Sequence, residues 1–303
     1  MPRVGLEAQA AVVITLATLM WGANAVAGQL TVGHVSPLTV VLLRWLMVAS
    51  VMWLLYGAQV RAHWATIRPR ARSIALMAVT GFTGFNALFY AAAHSTTAVN
   101  IGILQGSVPV FVLVGARLLY GTPISRAQLV GVLVAGLGVV AVATRGAPMQ
   151  LIEGGLNPGD ALMLLACVLY AGYTLGLQKR PPVPGAVFFT VMAQFAALAA
   201  LPLWLGELAS GASYWPTAQG WAVSVFIAIF PSCISQLLFM RGVDLIGPAR
   251  AGAFVNLVPI FASLLAVLVL GELFAPYHAI GLALVIAGIW LAQRKPAVTA
   301  VAR

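Results

Sequence analysis

Residues 89–143 read FYAAAHSTTAVNIGILQGSVPVFVLVGARLLYGTPISRAQLVGVLVAGLGVVAVA, and residues 239–293 read FMRGVDLIGPARAGAFVNLVPIFASLLAVLVLGELFAPYHAIGLALVIAGIWLAQ. A shift of 150 residues lays the first on the second without a gap. It places Phe89 on Phe239, Gly102 on Gly252, Pro109 on Pro259, Phe111 on Phe261, Gly121 on Gly271, Gly131 on Gly281 and Gly138 on Gly288. Seven matches in one register exceed what shared composition supplies, so the chain holds two copies of one module. The same shift sets Gly22 on Gly172 and Arg44 on Gln194. The repeat thus reaches back through the whole chain, as residues 1–150 and 151–303 of a single domain, 1–303.

Each copy is built for lipid. Hydrophobic residues make up 62% of the chain and charged residues only 7%, where soluble domains carry about 25% charged. Mean hydropathy is +1.01. Crossing the hydrocarbon takes about 20 apolar residues, and such runs follow one another over 9–30, 36–57, 73–93, 96–119, 126–144, 158–177, 185–206, 218–240, 246–270 and 277–292. The expected fold is an all-α integral membrane protein of ten transmembrane helices. A rival reading makes the first run a signal peptide, with Arg3 before it and Ala25-Val26-Ala27 as a cleavage site. Trp21, Asn24 and the repeat partner of this run favour a retained span.

The net charge of +10 reflects topology rather than a nucleic-acid partner. With a cytoplasmic N-terminus, the inner segments hold Arg3, Arg61, Arg68, Arg70, Arg72, Arg117, Arg126, Lys179, Arg180, Arg241, Arg250, Arg294, Lys295 and Arg303. The outer segments hold only Arg145, in an exterior 145–157 loop, and Arg44 lies within a span. Positive-inside bias therefore predicts both termini in the cytoplasm. Five spans per copy is an odd number, so the second copy should enter the membrane inverted. That is the plan of secondary transporters, whose sites lie near the midplane between repeats.

Trp21-Gly22-Ala23-Asn24, Leu43-Arg44-Trp45 and the segment from Phe89 to Ala143 resemble the drug/metabolite transporter superfamily, specifically its ten-helix EamA family. The second copy, with Asn256-Leu257-Val258-Pro259 and Gly271-Glu272, resembles the same module again. One departure is visible, because the family often has Gly-Glu after its fourth helix and here Gly121 is followed by Thr122. A shared essential role for Glu272 is thereby placed in doubt. The resemblance implies export of amino acids, including aromatic ones, or of other metabolites and drugs across the bacterial inner membrane.

Polar side chains near a span's centre are costly in lipid and should face a wet interior. Span 1 offers Trp21 and Asn24, span 3 Asn86 and Tyr90, and span 4 Gln105 and Ser107. Their repeat partners offer Tyr170, Tyr173 and Thr174 in span 6, Ser232, Ser235 and Gln236 in span 8, and Asn256 in span 9. Phe82, Phe85, Asn86, Phe89 and Tyr90 share one helical stripe, which suits a substrate with an apolar or aromatic side chain and a polar head. Packing is the alternative role for each of these residues. Pro109, Pro231 and Pro259 lack an amide hydrogen and should free carbonyls near Gln105, Ile227 and Val255, as binding groups or as kinks closed by Ser or Asn.

Arg44 sits in span 2 at a cost of at least about 2.5–3.5 kcal/mol. It can attract a carboxylate through its fork, hold carbonyls, or reach Asp160 or Glu272; with no other polar midplane residue in the span, the structural role is favoured. Gly131, Gly136 and Gly138, with Gly281 and Gly288, read as close helix packing within each half rather than a dimer interface, so a monomer is expected. Cys167 and Cys233 read as packing residues. His34, His63, His94 and His278 fall in loops or at helix ends, and no GxxxxGK[ST] occurs, so neither a metal site, a cofactor, an enzyme nor a self-contained ATP pump is expected. The predicted function is alternating-access export of small amphipathic metabolites with the lipid bilayer as surroundings. A multidrug exporter, a nucleotide-sugar carrier, and a membrane enzyme or scaffold remain as alternatives.

Overall fold

A computed structural model of the chain describes residues 3–147, 149 and 156–293. Arg294, Lys295 and Arg303, used above for topology, and part of the 145–157 loop lie outside the described residues. Among the described residues ten helices are long and apolar enough to cross a membrane. They are α1 Leu6–Thr31, α2 Pro37–Ala62, α3 Trp64–Ala93, α4 Ala98–Tyr120, α5 Arg126–Ala143, α6 Pro158–Lys179, α7 Gly185–Ala209, α8 Ala218–Ile246, α9 Arg250–Leu270 and α10 Pro276–Gln293. Every expected span has its helix, and no strand occurs among the described residues. Helix α3 starts well before its apolar run, because the Arg-rich segment ahead of it continues as the short helical turns Trp64–Ile67 and Arg68–Arg70.

Local sequence sets the ends. Thr97, Ser125, Asn157 and Thr217 each accept a hydrogen bond from the backbone N–H two or three residues on, satisfying an otherwise orphaned donor. Ser125 and Gln128 do so reciprocally. Gly121 and Gly271 close their helices at φ 67° and 68°, a left-handed conformation that costs glycine little.

The repeat is visible in the backbone. A π-helical turn at Val79–Gly84 in α3 recurs at Ile229–Ile234 in α8, 150 residues on. Helical segments Val108–Tyr120 and Arg126–Ala143 recur at the same offset as Val258–Leu270 and Pro276–Gln293. Pairing follows the same rule: α1 packs on α8 and α9, its counterpart α6 packs on α3 and α4, and α2 and α5 pack on their own counterparts α7 and α10. The two halves therefore interleave.

This arrangement corrects the expectation for the glycines. A Cβ on Gly131 would stand 2.6 Å from the Ala292 nitrogen, and one on Gly138 would stand 2.7 Å from the Gly281 carbonyl oxygen. The small residues bring α5 against α10, between the halves rather than within them. Gly136 meets nothing within 4 Å and takes no part. The outer surface carries apolar side chains such as Leu54, Leu118 and Leu268, 85%, 78% and 70% exposed, as a lipid-facing belt requires.

Candidate functional site

A cavity of about 1200 Å³ lies at the centre of the bundle. Trp21 and Asn24 of α1, Phe85 and Asn86 of α3, and Gln105 and Pro109 of α4 line it from the first repeat. Tyr170, Tyr173 and Thr174 of α6, Pro231, Ser232 and Gln236 of α8, and Asn256 and Pro259 of α9 line it from the second. Helices α2 and α7 also contribute, through Arg44 and Trp45 and through Phe188, Phe189 and Met192. The sequence reading left these two helices out. The available signal was an arginine in an apolar span that contains no acid.

Three expected lining residues lie elsewhere. Ser107 sends its hydroxyl to the Leu104 carbonyl at 2.6 Å and stays behind the wall. Ser235 is fully buried with an unpartnered hydroxyl; it follows the π turn, whose extra residue breaks the i, i+3 count that grouped it with Ser232. Tyr90 is fully buried behind Arg44, with its ring edge-on to Phe89 at 5.2 Å.

Rings form much of the wall. Trp45 and Phe82 stack at 4.6 Å with an interplanar angle of 2°. Phe82 meets Tyr173 at 5.4 Å, Tyr173 meets Tyr170 at 5.2 Å, and Tyr170 meets Phe85 at 5.1 Å. Gly81 makes this approach possible, because a Cβ there would stand 2.3 Å from Tyr173 Cγ. The Phe82 carbonyl, within the π turn, accepts from the Asn86 side-chain amide and fixes which way that amide points.

The amide oxygen of Asn86 then faces Arg44. Nη1 of Arg44 donates to Asn86 Oδ1 at 2.7 Å and to the Tyr90 hydroxyl at 2.7 Å, with Asn24 Oδ1 at 3.4 Å. The Tyr90 hydroxyl donates in turn to Asn24 Oδ1 at 3.0 Å. Arg44 does not reach Asp160 or Glu272, because those carboxylates are occupied at the helix ends described below. Its neighbours are neutral. Gln194, the repeat partner of Arg44, instead donates to the Ala49 carbonyl at 2.8 Å, so the charged cluster exists in one half only.

At two of the three prolines the structure takes the alternative of a locally closed kink. Pro231 does deprive the Ile227 carbonyl of its N–H, but the Ser232 hydroxyl takes that oxygen at 2.6 Å. The Val255 carbonyl accepts from the Val258 N–H in a tight 3₁₀ turn. Both carbonyls are satisfied within the helix, so the kinks shape the cavity instead of adding ligands to it.

The cavity is open at one end. Arg180, Pro184, Arg241 and Asp244 line its mouth and are exposed. At the opposite end of the bundle carboxylates tie helix ends together. Glu207, at the end of α7, accepts from the Ser36 hydroxyl at 2.7 Å, the Leu38 N–H at 3.0 Å and the Thr39 N–H at 3.2 Å, capping α2. Glu272 likewise accepts from the Ala98 and Val99 N–H groups at 2.8 and 2.9 Å, capping α4. Negative charge at a helix N-terminus is favourable, and here each charge ties together helices of opposite halves. Asp160 accepts from Thr96 and from Asn100, and His278 Nε2 donates to Asn100 Oδ1 at 3.0 Å because its Nδ1 already accepts from the Ala275 N–H. The repeat positions of Glu207 and Glu272 are Gly57 and Thr122, so the open end has no equivalent caps.

Comparison with known proteins agrees with this architecture. The model of the EamA-like transporter family matches twice, at residues 8–144 and 157–293. An uncharacterized transporter of Bacillus subtilis (strain 168), YyaM, is 26% identical over 288 residues, covering 91% of this chain and 90% of its own. A protein of Streptantibioticus cattleyicolor described as a probable terminal-alkyne amino-acid exporter is 27% identical over 232 residues, covering 75% and 76%. A solved crystal structure superposes with a TM-score of 0.65 at 20% identity, covering 94% of this chain and 97% of its own, a likeness of fold alone. Ten spanning helices around one cavity, built from a module that the family model matches twice, make this chain a multi-pass membrane protein of the EamA-like transporter family.

Proposed function

We propose that this transporter exports small amphipathic metabolites, amino acids and aromatic amino acids among them, across a bacterial inner membrane. It works by alternating access between two inverted five-helix repeats, with the central cavity as the midplane substrate site. The observation that carries this reading is the cavity itself: about 1200 Å³, walled by rings with a few polar groups, and open at one end. That is large for ligand pockets of about 300–1,000 Å³ and leaves room for a substrate with its waters. The name of the Streptantibioticus cattleyicolor relative supports amino acids as cargo. The mouth carries Arg180 and Arg241 and is assigned to the cytoplasm by the positive-inside rule.

Purified protein in liposomes should move aromatic amino acids down their gradient. Trp21→Ala, Asn86→Ala and Tyr173→Ala should each lower that flux by about tenfold or more, and impair it more than they impair the yield of folded protein, since each removes a wall contact worth roughly 1–2 kcal/mol. Normal flux in all three would remove the cavity from the pathway. Asp244 is the acid in the lining and stands at the mouth, while the buried Asp160 and Glu207 serve helix ends away from the cavity. Flux is therefore expected without stoichiometric proton movement, read with a pH dye in the lumen; matched acidification or alkalinisation would contradict it.

Orientation has its own test. A single cysteine placed at Ala65 should react with a membrane-impermeant maleimide only from the cytoplasmic side, and one at Gln150 only from outside. The reverse pattern would overturn the assigned orientation.

A further inference from the structure

The guanidinium of Arg44 spends one nitrogen on the protein. All three of its hydrogen bonds leave from Nη1, toward Asn86, Tyr90 and Asn24. Nε is buried with no partner, and Nη2 makes no hydrogen bond among the described residues. Arg44 is only 7% exposed and lines the cavity. Its side chain makes no ion pair among the described residues; the ion pair found there joins Arg250 and Glu7 at the surface. A buried guanidinium is an expensive group when it has neither counter-ion nor full hydrogen bonding. Beside it Trp45, whose ring centroid is 5.3 Å from Arg44 Cζ, has a buried indole N–H that is also unpartnered.

We propose that the unpartnered Nη2 of Arg44 is the seat of the substrate's carboxylate. The inference rests on the reading of the cavity as a substrate site and deepens it. Nη2 carries two N–H groups, and charge-assisted bonds from them to a carboxylate are about twice as strong as neutral ones. Asn24, Asn86 and Tyr90 hold the fork from its other side, so its orientation is fixed before the ligand arrives. The body of the ligand then lies against Phe82, Phe85 and the Tyr170–Tyr173 pair. This arrangement excludes two other substrate classes. A lipophilic cation meets a like charge at the seat, and a sugar phosphate needs more positive charge than one arginine supplies.

The test is a calorimetric titration of the purified full-length protein in nanodiscs with three probes of one shape: 3-phenylpropanoate, 3-phenylpropanamide and 3-phenylpropylammonium. The wild type should bind the carboxylate at least about 30-fold more tightly than the amide, with no measurable binding of the ammonium. In Arg44→Gln, which places there the residue of the repeat partner, the carboxylate and amide should bind within about threefold of each other. Equal binding of carboxylate and amide by the wild type, no saturable carboxylate binding, or discrimination that survives in Arg44→Gln would each overturn the seat. Should that variant not fold, the comparison of probes on the wild type decides alone. Amino-acid flux in liposomes with no preference for the carboxylate probe would sink the seat and leave the transport reading standing. A carboxylate preference without flux would do the opposite.

Discussion

Alanine at Gly288 is expected to lower the temperature at which the purified protein loses its monodisperse peak by about 5 °C or more, a cost of roughly 2–3 kcal/mol. The added Cβ would stand 2.4 Å from the Ala135 nitrogen and 2.6 Å from the Gly131 carbonyl oxygen. Neither neighbour is a side-chain tip that can swing away, so α5 and α10 must separate along their length. In lipid such close packing is itself the attraction between helices, since tails offer no hydrophobic gain on association. Gly136→Ala in the same α5 is the control. Its Cβ would meet nothing within 4 Å, so that change should be neutral or raise stability by up to about 1 kcal/mol through helix propensity. Equal losses at both positions would show that glycine flexibility, not contact, matters here.

Glu207→Ala should be comparably damaging, by about 3 kcal/mol, because it strands the Ser36 hydroxyl and the Leu38 and Thr39 N–H groups at a buried helix start. Glu207→Gln keeps one acceptor and should fall between. The contrast is Glu7→Gln, which breaks a 3.1 Å ion pair to Arg250 whose side chains are 62% and 56% exposed. Exposed pairs contribute about 0–1 kcal/mol, so its melting profile should barely move. The readout is the same heating series. A loss for Glu207→Ala no larger than that for Glu7→Gln would remove Glu207 as the tie between α2 and α7.

Much of the site was legible because lipid makes polarity informative. Asn24, Asn86, Gln105, Thr174, Gln236 and Asn256 stood out in apolar runs, and all six line the cavity. The walls from α7 were not legible. Phe188, Phe189 and Met192 are apolar, and an apolar residue facing a cavity reads the same as one facing lipid. The partners of Arg44 were not legible for a related reason: they lie 20, 42 and 46 residues away on other helices, and neither Asp160 nor Glu272 is among them. Nor did residue spacing disclose the π turns, which moved Ser235 off the face that a regular helix would give it.

By itself the sequence determined ten spanning helices and a duplicated module, because hydropathy and a 150-residue register are properties of the chain read in one dimension. It also marked Gly131, Gly136, Gly138, Gly281 and Gly288 as points of close approach, and all but Gly136 are. Only the tertiary structure decided that these join α5 to α10 across the halves, that Glu207 and Glu272 cap helices of the opposite half, and that Arg44 lines the cavity with its Nη1 held by Asn24, Asn86 and Tyr90. Each of those outcomes depends on which distant helices meet. In a bundle whose outer faces are all solvated equally well by lipid, that choice is made by shape and a few buried polar contacts in three dimensions.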